Sequence, residues 1–92
     1  MKDLLEKAKS LIKEGEINNA IELLENILNS NQSSSDEVFY QLGNAYRKLG
    51  NWQDALNNYQ EAININPDSP AKEARQMIMD ILNFYNKDMF NQ

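Results

Sequence analysis

Neither cysteine nor histidine occurs in the 92 residues of this chain. It therefore has no thiolate nucleophile, no disulfide, and no imidazole to act as a general base or metal ligand. The carboxylates do not form an Asp-rich calcium loop. No nucleophile–base pair and no glycine-rich phosphate loop is present. Glu14 and Glu16 flank a glycine and read as solvated turn residues. The expected protein is not an enzyme and uses no cofactor or metal. What remains is recognition chemistry: Lys and Arg side chains that attract carboxylates, with apolar side chains spaced among them.

The net charge of −5 argues against duplex nucleic acid as a partner. The opening Met1-Lys2-Asp3-Leu4-Leu5-Glu6-Lys7 is charged and amphipathic, unlike a secretory leader. No apolar run approaches the roughly 20 residues that span a bilayer. A cytoplasmic location without membrane contact is the expectation.

The elements that must position these side chains are helices arranged as repeats. Gly15 and Gly50 are 35 residues apart, as are Ala20 and Ala55, and the same step takes Leu4 to Phe39, Ala8 to Gly43, Leu11 to Tyr46 and Leu24 to Tyr59. Leu4, Leu5, Ala8, Leu11 and Ile12 have the 3,4 spacing of an amphipathic helix, and so do Ile17, Ala20, Ile21, Leu24, Ile27 and Leu28. Gly15 and Gly50 fit left-handed helix ends, with Lys13 and Lys48 placed to suit the dipole. Asn51 reads as an N-cap, and Ser34 with Glu37 has capping-box spacing. The fourth helix is predicted to end near Ile65. Ser69-Pro70 then opens a fifth, over residues 71–85, with Ala74, Met77, Ile78, Ile81, Leu82 and Tyr85 as its apolar face. Such short connections make neighbouring helices antiparallel.

This pattern resembles the tetratricopeptide repeat, a helix–turn–helix unit of about 34 residues. Phe39, Leu42, Gly43 and Tyr46 fall at its Trp-Leu-Gly-Tyr positions. Ala55, Tyr59 and Ala62 match the small–aromatic–small set, and Pro67 the closing proline. The first unit keeps Ala8, Leu11, Gly15, Ala20 and Leu24, but has Ile27 for a small residue and Gln32 for proline, and runs one residue long in its serine-rich loop. The resemblance implies an all-α fold: five helices in antiparallel hairpins, stacked as a short right-handed α-solenoid. Its single domain would comprise repeat one at 1–34, repeat two at 36–69, a capping helix at 70–86 and a tail at 87–92.

In the family, first helices line a concave groove that holds peptides or partner helices. Carried over, the groove residues are Lys2, Leu5, Lys9, Ile12 and Lys13, then Tyr40, Asn44, Arg47 and Lys48, then Lys72, Arg75, Met79 and Leu82. Every Lys and Arg except Lys87 lies on a first-type helix, whereas the second-type helices carry Glu22, Glu25, Asp54 and Glu61 without a cation. A basic inner face predicts an acidic peptide or protein segment as partner. The carboxylate clamp of some family members is matched in part by Lys9, Asn44, Lys72 and Arg75, but Leu5 stands where it wants Lys and Gln41 where it wants Asn. Trp52 reads as core or rim. An alternative role is self-assembly, with a weak homodimer formed through the fifth helix and Phe84, Met89 and Phe90.

Overall fold

The computed structural model describes the backbone of residues 2–30 and 35–90, and the side chains of 3–30 and 35–84. Over the described residues it is entirely helical, with α1 (Lys2–Lys13), α2 (Ile17–Asn29), α3 (Asp36–Lys48), α4 (Trp52–Ile65) and α5 (Ala71–Phe90). The helices α1–α2 and α3–α4 form hairpins. The second hairpin stacks on the first through α2 and α3, and α5 lies on α4.

The two glycines act as the sequence predicts. Gly15 and Gly50 have φ of +87° and +77°, and the amides that follow each turn close back on the preceding helix, Glu16 N–H to Leu11 and Asn51 N–H to Tyr46. A methyl group added to Gly50 would touch nothing, so only the left-handed conformation opposes a side chain there. Replacing Gly50 with alanine should therefore cost about 1 kcal/mol in urea unfolding, and replacing it with asparagine less. Equal stability of the alanine variant would contradict a left-handed residue 50.

Capping is local and specific. The Asn51 side chain accepts from the Asp54 amide and donates to its carboxylate. At α3 the cap is Ser35, which accepts from the Glu37 amide, not Ser34, which lies outside the described residues. Ser69, buried at the mouth of α5, accepts from the Ala71 amide. The fifth helix continues to Phe90, past the predicted end, so Lys87 is helical and all Lys and Arg lie on α1, α3 and α5. The side chains of Met89 and Phe90, the Lys2 side chain and the serine-rich loop at 31–34 lie outside the described residues.

The core has two centres. Leu5, Ala8, Ile12, Ala20, Leu24 and Ile27 pack with Val38, Leu42 and Ala45 between the hairpins. Ala55, Tyr59, Ala62, Ala71 and Ile78 pack between α4 and α5. Small residues sit where helices cross closely. Gly43 lies directly on the Tyr59 ring, where an added Cβ would be 2.5 Å from two ring carbons.

Two expectations change. Met77 is 54% exposed and Ile81 39%, so neither is core. The packed stripe of α5 is Ala71, Ala74, Ile78 and Leu82. Ala74, Ile78 and Leu82 stand 36 residues after Val38, Leu42 and Tyr46 rather than 35, which rotates Met77 and Ile81 out of the interface. Trp52 is also exposed, at the start of α4 beside the turn.

Candidate functional site

The seams between first-type helices differ in what fills them. Leu5 and Ile12, expected to face a groove, are only 6% exposed and belong to the core with α3 residues Val38, Leu42 and Ala45. They cannot contact a ligand, because α1 lies against α3 as well as α2 and apolar side chains close that seam. Tyr40 and Arg47 occupy the same places one unit later, 35 residues on. They are polar and only half-buried. The seam between α3 and α5 stays open as a cleft of about 260 Å³, lined by Tyr40, Asn44, Arg47, Pro70, Glu73, Ala74 and Met77.

Each wall is one helical stripe. Tyr40, Asn44 and Arg47 follow i, i+4, i+7 spacing on α3, while Pro70, Glu73, Ala74 and Met77 follow i, i+3, i+4, i+7 at the start of α5. A polar network holds the α3 wall from beneath. The Tyr59 hydroxyl, on a fully buried ring, donates to Asn44 Oδ1 at 2.5 Å, and Asn44 Nδ2 donates to Gln41 Oε1 at 3.4 Å. The Tyr40 and Tyr59 rings lie 5.9 Å apart, tilted by 40°, in the favourable range for an aromatic pair. Above this floor, Arg47 Nε is buried without a hydrogen-bond partner. An unmet buried donor costs about 1–3 kcal/mol; the Arg47 side chain also lines the cleft, and a guanidinium fork suits a carboxylate.

Burial pushes the Tyr59 phenol above the usual 10.0, while the positive charge of Arg47 and a hydrogen bond from its side chain to the phenol pull it back. Tyr46 is raised too, by burial and by Glu25 and Asp54. A group whose folded value is raised contributes stability that is full below its unfolded value, near 10, and is lost as pH rises through the folded value. Thermal melts should therefore show the melting temperature falling above about pH 10. Tyr59→Phe should flatten that fall. An equally steep fall in the variant would remove Tyr59 from the account.

The remaining expected site residues lie elsewhere. Lys13, Lys48 and Lys72 are exposed and Arg75 and Met79 half-buried, none of them lining the cleft. Lys9 pairs with Glu6 on its own helix at 3.1 Å. Sequence reasoning missed Pro70, Glu73, Ala74 and Met77. The signal for them was the longer step into the third unit: advancing Glu37, Val38 and Gln41 by 36 gives Glu73, Ala74 and Met77.

A second, shallower cleft of about 310 Å³ lies between α1 and α2, lined by Lys7, Leu11, Asn19, Glu22, Leu23 and Asn26. On that side, Asp3, Lys7 and Ser10 are exposed. They hold the places that Val38, Leu42 and Ala45 bury one unit later, which makes the face a solvated end of the stack. No group of three or more metal-binding side chains occurs among the described residues. No helix among them is long and apolar enough to cross a membrane.

Stacked hairpins with a polar cleft between first helices define a helical-repeat scaffold. The tetratricopeptide repeat profile matches residues 37–69. The solution NMR structure of the Bacteroides fragilis protein BF1650 is similar to the whole chain, with 61% identity, a TM-score of 0.85, and coverage of 96% of this chain and 89% of that one. No curated protein matches. The chain belongs to the tetratricopeptide repeat family, whose repeats generally mediate protein–protein interaction and typically form non-enzymatic scaffolds.

Proposed function

We propose that this domain binds an extended, carboxylate-bearing segment of another protein in the α3–α5 cleft. The observation that carries the reading is the Arg47 side chain lining an open cleft where the matching seam of the first unit is closed by Leu5 and Ile12. The network of Tyr59, Asn44 and Gln41 supports the α3 wall before any ligand arrives, which lowers the ordering cost of binding. Tyr40 and Met77 offer apolar surface beside the charge. The placement of all Lys and Arg on α1, α3 and α5, with none on α2 or α4, favours approach of an acidic ligand to this layer.

The chain lacks cysteine, so single cysteines can report on each cleft. A fluorophore on Met77→Cys should respond saturably to acidic peptides, while the same label on Lys7→Cys should not. A response only from the Lys7 position would move the site to the α1–α2 end.

The exposure of Met77 and Ile81 on one stripe of α5 favours a second reading, self-association through that helix. Sedimentation equilibrium from micromolar to millimolar concentration separates the two. A dimer that Ile81→Glu converts to monomer supports self-association, and a monomer throughout excludes it.

A further inference from the structure

The cleft carries one charge of each sign. Arg47 lies in the last turn of α3 and Glu73 in the first turn of α5, and both line the same space. Both helices run antiparallel to α4, so α3 and α5 point the same way. The two charges therefore stand toward opposite ends of the cleft, and among the described residues no ion pair joins them. Between them lie Tyr40, Ala74 and Met77.

We infer that the cleft selects a segment of mixed charge: an acidic residue for Arg47 and a basic residue for Glu73, separated by apolar residues. This deepens the proposed binding function and rests on it. A uniformly acidic segment would satisfy Arg47 and then bring like charge against Glu73, where the repulsion offsets part of the gain. The spacing follows from the helix. Glu73 matches Glu37 at the step of 36, and from the level of Glu37 to Arg47 the backbone rises roughly 15 Å, while an extended peptide advances about 3.3–3.6 Å per residue. The acidic and basic residues should thus lie about four positions apart, with aliphatic side chains between them facing Tyr40 and Met77. Such a pattern rejects both polyacidic and polybasic chains, which the overall charge of the protein alone would not do.

The test uses the full chain and blocked octapeptides of alanine and leucine. One set carries a glutamate and a lysine about four positions apart in either order. The others carry two glutamates, two lysines or no charge. Calorimetry and the Arg47 Nε–H resonance are read together. One order of the mixed peptide should bind about tenfold tighter than the diacidic peptide. Glu73→Lys, an exposed substitution, should invert that ranking, and Arg47→Gln should abolish binding of both. If the diacidic peptide binds the parent as tightly as either mixed one, or Glu73→Lys leaves the ranking unchanged, the mixed-charge inference is wrong. In that case the cleft reading still stands, provided Arg47→Gln abolishes binding. If no peptide moves the Arg47 Nε–H, both are overturned.

Discussion

Replacing Gly43 with alanine should destabilise the domain by about 3 kcal/mol, the upper part of the usual range for overpacking. The added Cβ would stand 2.5 Å from Cδ1 and Cε1 of Tyr59 and 3.0 Å from Cγ, where ordinary carbon contacts need about 3.5–4.0 Å. The ring cannot yield easily. It is fully buried, tied through its hydroxyl to Asn44, and packed beside Tyr40. The strain therefore falls on the α3–α4 crossing. A domain of this size has about 5–14 kcal/mol to lose, so the melting temperature should drop by about 12–24 °C. Combining the change with Tyr59→Leu should recover part of the loss, giving a coupling of at least about 1 kcal/mol. A melting temperature unchanged in Gly43→Ala would mean that the helices do not cross as described.

The second large effect is on binding. Arg47→Gln should cost about 2–4 kcal/mol of affinity for a carboxylate-bearing peptide, while thermal unfolding changes little. The two halves have separate causes. Binding suffers because Arg47 is the only cation among the described residues that line the cleft. Stability is spared because the substitution removes the Nε donor, which has no partner in the free protein, and this offsets the lost hydrogen bond to Tyr59. The controls are Lys13→Gln and Lys48→Gln. Both positions are exposed, and such surface charges are worth well under about 1 kcal/mol. A loss of affinity in the controls equal to that of Arg47→Gln would reduce the effect to diffuse electrostatics.

The hairpins were legible because their causes are local. Gly15 and Gly50 stop helices through backbone conformation, Asn51 caps through one side chain, and the 3,4 spacing of Ala20, Leu24 and Ile27 fixes a buried face whatever lies beyond it. The candidate cleft was only partly legible. Tyr40, Asn44 and Arg47, expected to face a groove, line the cleft because the units of α1 and α3 share one step. Leu5 and Ile12 were misplaced because a groove position is open only if its neighbour leaves it so, and residue type at the α1–α3 seam closes it. On α5 the step lengthens by one across the Pro67–Pro70 connection. That exchanges Lys72, Arg75 and Met79 for Glu73, Ala74 and Met77 at the cleft. With Glu73 there, the proposed partner chemistry shifts from simply acidic to mixed. Long-range register decides such matters, and spacing within one helix does not contain it.

The most direct measurement is a proton–nitrogen NMR titration of the full chain with a carboxylate-bearing peptide, following the Arg47 Nε–H signal alongside the backbone amides. An Arg47 guanidinium that gains a carboxylate should move its Nε–H signal downfield, with accompanying shifts at Tyr40, Asn44 and Met77 and none at Leu11 or Leu23. Saturable shifts along α1 and α2 with the Arg47 Nε–H unmoved would contradict the account and place the partner on the other end of the stack.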